Sequence, residues 1–126
     1  MPKFAVRDIE GIQSKERGLE LIIDGIGQLS EFESELEECY KSEFAKILGF
    51  IESSLDRKLL PATKFKILKS KDNCKEYEFK TKHLRVYAIK TIDGKLICFC
   101  GFKNSQSRDI NKFRAIKKRY LESLLS

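Results

Sequence analysis

The sequence predicts an α+β domain, and three observations carry that prediction. Apolar residues recur at helical spacing before Pro61, they alternate with polar ones after it, and helical spacing returns near Ser107. The chain has 126 residues, a length at which one domain with its own core is expected. A single domain spanning 1–126 is therefore the expected organisation. Its first sixty residues form an acidic helical part and residues 61–126 a basic sheet with a closing helix.

Taken in order, Phe4 to Val6 is short enough to predict only a brief strand. Leu19, Ile22, Ile23, Ile26 and Leu29 follow at helical spacing, weakened near the end by Gly25 and Gly27. Ser30 with Glu33 has the form of a capping box. Beyond it Leu36, Tyr40, Phe44, Ile47, Ile51 and Leu55 make one apolar stripe. The acids Glu31, Glu33, Glu35, Glu37 and Glu38 crowd its first turns, where the helix dipole favours negative charge. The first half thus reads as a helical pair.

After Pro61, Phe65 and Ile67 alternate with Lys64 and Lys66, and Tyr77 and Phe79 with Glu76, Glu78 and Lys80. Two richer apolar runs, His83 to Lys90 and Lys95 to Phe102, are joined across Ile92-Asp93-Gly94. Asp-Gly provides the positive φ of a tight hairpin turn. An antiparallel sheet of three to four strands is expected. The closing helix carries Ile110, Phe113, Ile116 or Lys117, Tyr120, Leu121 and Leu124 on one face and Lys112, Arg114, Lys118 and Arg119 on the others.

Charge is unevenly divided. Residues 1–60 hold 8 basic and 13 acidic side chains, a balance of −5, whereas residues 61–126 hold 17 and 6, a balance of +11. Such asymmetry points to a polyanionic partner for the basic half. Strand alternation places Lys64, Lys66, Lys80, Arg85 and Tyr87 on one sheet face, with Lys82 and His83 at its rim. Cations for phosphates and a ring for stacking suit RNA; a solvated, lysine-protected sheet face is the plainer alternative.

Cys39, Cys74, Cys98 and Cys100 form no C-x-x-C pair, and with a single histidine no metal site is expected. Cys98 and Cys100 should share one strand face as small buried thiols. No apolar run approaches the ~20 residues of a spanning helix, and the start MPKFAVRDIE lacks a signal-peptide stretch. A cytoplasmic location with no membrane contact is the expectation.

The stretch EYEFKTKHLRVYAIKTIDGKLICFCGFKNSQSRDINKFRAIKKRYLESL resembles the RelE/ParE superfamily of bacterial toxins from type II toxin–antitoxin systems. The likeness is strongest to the RelE- and HigB-like ribosome-dependent mRNA endonucleases. The pattern is carried by Leu84-Arg85-Val86-Tyr87, the hairpin and apolar strand, the basic turn Gly101-Phe102-Lys103-Asn104, and a terminal helix opening on a polar segment. It covers roughly residues 76–124.

The resemblance implies an RNA cleavage in which a ribose 2′-OH attacks the adjacent phosphate, with no cofactor. On that basis Arg85 holds the scissile phosphate, Lys80 stabilises charge or acts as base, and Lys103 and Arg108 support the transition state. Lys82 grips backbone phosphate, and Arg108 and Lys112 extend the basic surface. His83, whose ordinary pKa lies near neutrality, is the candidate acid or base. Lys64, Lys66 and Tyr87 complete the RNA-binding set.

The implied partners are a cognate antitoxin, the ribosome and mRNA. RelE-like members often place a tyrosine at the start of the last helix, and HigB-like members a histidine, aspartate and tyrosine. This chain has Arg108-Asp109-Ile110-Asn111 there. Two alternatives stay open: a ParE-like, non-nucleolytic inhibitor of gyrase, and a catalytically inactive relative that binds RNA or protein.

Overall fold

The computed structural model describes residues 2–125. A hairpin opens the chain: β1 (Phe4–Asp8) and β2 (Arg17–Ile23) pair antiparallel, and a short β3 (Ile26–Gly27) folds back on β2. Two helices follow, α1 (Gln28–Glu35) and α2 (Lys41–Leu55), separated by a 3-10 turn at Glu38–Tyr40; together they divide the stretch expected as the second helix of a pair, and most of the expected first helix is strand. Then come β4 (Phe65–Leu68), β5 (Glu76–Lys80), β6 (Leu84–Lys90) and β7 (Gly94–Phe102). A second 3-10 turn, Lys103–Ser105, leads into α3 (Gln106–Ser123). The class is α+β.

The strands form one sheet in the order β1-β2-β7-β6-β5-β4, antiparallel except where β2 runs parallel to β7. It is larger than the expected three to four strands because residues 17–23 are strand, not helix. Gly18, Leu19, Glu20 and Leu21 are all buried, so this central strand is covered on both faces and loses the alternation that would have betrayed it. The helical spacing of its apolar residues was fortuitous. Asp24 (φ 50°) and Gly25 (φ 83°) make the tight turn into β3.

Helix α1 also begins differently from the expected capping box. Ser30 lies inside it, and the cap is a carboxylate from the neighbouring strand. Glu20 Oε1 accepts from the backbone N–H groups of Leu29 (3.0 Å) and Ser30 (2.8 Å). Glu20 Oε2 accepts from the Ser30 hydroxyl and from Arg7 Nη2. Thus a buried acid satisfies the helix-start donors that no local side chain reaches.

Helices cover both faces of the sheet. Phe44, Ile47, Ile51 and Leu55 of α2 pack on Tyr77, Phe79, Leu84, Val86, Ala88 and Ile97. On the opposite face Phe113 of α3 packs with Leu19, Leu21, Tyr87, Ile89, Leu96 and Cys98. The sheet is therefore the middle of three layers.

Two local expectations change with this arrangement. A bulge near Tyr87 and Ala88 shifts the β6–β7 register, from Tyr87 opposite Phe99 to Ala88 opposite Ile97. It separates two cysteines that strict alternation would put together: Cys98 lies in the α3 layer and Cys100 packs against the α2 layer. The β6–β7 hairpin forms where expected, but neither Asp93 nor Gly94 has a positive φ. Gly94 instead permits close approach to β2. A Cβ there would lie 1.8 Å from the Arg17 carbonyl oxygen.

Candidate nucleic-acid interface

Strand register places Lys66 opposite Glu78, Glu78 opposite Tyr87, and Lys80 opposite Arg85. The expected common face exists, but most of it lies under α3. Tyr87 is 0% exposed and stacks on Phe113 at 5.4 Å, which removes it as a platform for bases. Arg85 is 7% exposed, and its Nη1 donates to the carbonyls of Thr81 (2.6 Å) and Leu84 (2.8 Å). Its guanidinium braces the β5–β6 turn, so its fork is not presented outward.

Glu76 and Glu78, expected on a solvated side, are buried beneath α3. Gln106 donates to Glu78, and Arg114 and Lys117 bond to Glu76. Lys117 is 2% exposed; its ammonium also reaches Ser70, Asp72 and the Cys74 carbonyl, fastening the loop before β5 to the helix. Lys66 is exposed on edge strand β4, and Lys112 is exposed on α3; neither lines the groove or the pocket at the β5–β6 end of the sheet.

The remaining candidates converge at the end of the sheet where β5 turns into β6. Lys64, Lys80 and Lys82 line a groove with Lys46 of α2, over a floor that includes Phe50 and Glu43. The Lys64 ammonium sits 5.1 Å from the Phe50 ring centre, on the α2 side of the sheet and not on the α3 side that alternation assigned it. Next to the groove, Lys82, His83 and Lys103 line a pocket with Tyr40, Phe102 and Asn104. Lys103 then adjoins Arg108 across the first residues of α3. Among the described residues, none of Lys46, Lys64, Lys80, Lys82, Lys103 or Arg108 has an ion-pair partner.

Glu43, which the sequence offered only as one acid in a helix, organises this end of the molecule. Projecting from the first turn of α2, it accepts from the Thr81 hydroxyl and from the backbone N–H groups of His83 (2.7 Å) and Leu84 (3.1 Å). Its Oε1 lies 2.9 Å from His83 Nδ1. Burial acts to raise the Glu43 carboxyl, but the hydrogen bonds from Thr81 and His83 outweigh it and hold the pKa at about 2. An ionised carboxylate can only accept, so Nδ1 carries a proton, and in the neutral tautomer of such a ring Nε2 is the acceptor. The His83 ring is half-exposed and meets the Tyr40 ring edge-on at 5.4 Å.

The sequence alone missed Glu43, Tyr40, Phe102 and Asn104. Glu43 and His83 are forty residues apart and meet only because α2 crosses the β5–β6 turn. Tyr40 was assigned to the apolar stripe, and its place at a helix break brings it to the pocket rim. Asp109, at the start of α3, is buried and accepts from the Ser105 hydroxyl at 2.6 Å.

Among the described residues no group of three or more His, Cys, Asp and Glu side chains is placed to hold a metal ion. No helix among them is long and apolar enough to cross a membrane. No protein-family model, no curated protein and no solved structure matches this chain.

Proposed function

We propose that this chain is an RNA-binding endoribonuclease of the RelE- or HigB-like kind, the toxin of a toxin–antitoxin pair acting on mRNA at the ribosome. One observation carries the reading: lysines with no ion-pair partner among the described residues line a groove and the adjoining pocket, where His83 Nδ1 meets the Glu43 carboxylate at 2.9 Å. Lys46, Lys64, Lys80 and Lys82 hold phosphates along the groove. The ribose 2′ oxygen bonds to phosphorus as the P–O5′ bond breaks. Nε2 of His83 takes the 2′ proton, and the ammonium of Lys103 gives one to the departing 5′ oxygen. The products are a 2′,3′-cyclic phosphate and a 5′-hydroxyl.

Binding of single-stranded RNA should weaken linearly on a log–log salt plot. Lys82→Glu and Lys103→Glu should each reduce the slope by about 0.7, the increment for one phosphate contact. Induction in a bacterium should arrest translation and yield primer-extension stops with cyclic-phosphate ends, both relieved by His83→Ala. Uncut transcripts and normal growth under strong expression would refute cleavage.

A second reading, RNA binding without cleavage, is favoured by the burial of Arg85 and by the absence of tyrosine or histidine at the start of α3. RNA binding that is intact in His83→Ala, with no cut ends from either protein, would select it.

A further inference from the structure

The pocket beside the groove differs chemically from the groove itself. Tyr40 and Phe102 form its apolar wall, their ring centres 5.3 Å apart and inclined at 67°. Phe32 backs Phe102 at 5.6 Å, so that ring is held from behind. His83 closes one side, and Lys82 and Lys103 stand exposed on the flanks. The Lys103 backbone N–H donates to the His83 carbonyl at 2.8 Å, which ties the two loops of the pocket together. The cavity measures about 320 Å³, at the small end of ligand sites. Asn104 lines the pocket as an exposed residue, and among the described residues its side-chain amide has no hydrogen-bond partner.

Aromatic rings in a notch, one amide and two unpaired ammonium groups match a single nucleotide: a flat base between charged phosphates. Lys82 belongs to both the pocket and the lysine groove. A strand whose phosphates follow the groove is thereby delivered to the notch. We infer that the Tyr40–Phe102 pocket takes one unstacked base of a single-stranded RNA, with Asn104 on the base edge and Lys82 and Lys103 on the adjoining phosphates. The inference rests on the RNA-binding reading and gives it the stacking surface that buried Tyr87 does not provide.

The test uses fluorescence anisotropy with a labelled single-stranded oligoadenylate and the same oligomer carrying an abasic ribose at each position in turn. For the unaltered protein, one abasic position should weaken binding about 5- to 100-fold, the worth of one stacked base, and the others much less. Tyr40→Leu should lose a similar factor with the salt slope unchanged, and should no longer distinguish the abasic oligomers. Asn104→Ala, a change at an exposed site, should reduce the preference between bases. Equal affinity for intact and abasic oligomers, with a normal salt slope, would overturn the pocket while leaving phosphate binding in place. No binding to any RNA at about 50 mM salt, where phosphate contacts are strong, would refute both the functional reading and the pocket.

Discussion

Glu43→Gln tests the organising role of that carboxylate with the least disturbance of shape. Glu43 accepts from Thr81, the His83 backbone, the His83 ring and Leu84. Burial opposes its ionisation, yet those donors bring its pKa from the ordinary 4.5 down to about 2. At about 1.36 kcal/mol for each tenfold change in proton affinity, the ceiling on this contribution is ~3.4 kcal/mol. The group lies at the surface with its side chain 17% exposed, so screening by water brings the expectation to about 2 kcal/mol.

The sign follows from a depressed folded-state value. The contribution is fully present above the unfolded pKa near 4.5 and disappears as pH falls through the folded value near 2. Urea unfolding of both proteins at neutral pH should therefore show Glu43→Gln less stable by about 2 kcal/mol. The gap should narrow between about pH 5 and pH 2. Asp72, also held at about 2, titrates in the same window in both proteins and cancels from the difference. A gap that keeps its size at low pH, or no gap at neutral pH, would refute the argument.

Two further outcomes follow from the covered sheet face. Lys117→Met leaves buried Glu76 with only Arg114 as an ionic partner and frees the Asp72 loop, so urea unfolding should show a loss of about 3–5 kcal/mol; a loss under about 1 kcal/mol would show the network to be dispensable. Tyr87→Phe keeps the stack on Phe113 and removes a buried hydroxyl with no partner among the described residues, so stability should hold or rise by up to about 1 kcal/mol. RNA affinity should not change in that variant, and a fall would return Tyr87 to the interface.

Local chemistry made part of this molecule legible in advance. The alternation of Phe65 with Lys66 and of Tyr77 with Glu78 located β4 and β5, and Asp93-Gly94 located the β6–β7 hairpin. The face shared by Lys66, Lys80, Arg85 and Tyr87 followed from the two-residue period and agrees with the register. Its exposure did not follow, because period fixes direction and not what lies above. The spacing of Ile110, Phe113 and Lys117 gave α3, but not that it would lie across the polar side of the sheet and bury Lys117 with Glu76.

Residues 17–23 were misread for a related reason. A strand paired on both edges and covered on both faces loses the polar–apolar alternation, and here even the charged Glu20 is buried as the cap of α1, so no two-residue period marks it. The sequence by itself determined the α+β class and the basic character of the second half. Only the tertiary structure decided which cations stand free. Desolvation under α3 removed Arg85 and Tyr87 from the surface, while the crossing of α2 over the β5–β6 turn brought Glu43 to His83 across forty residues of chain.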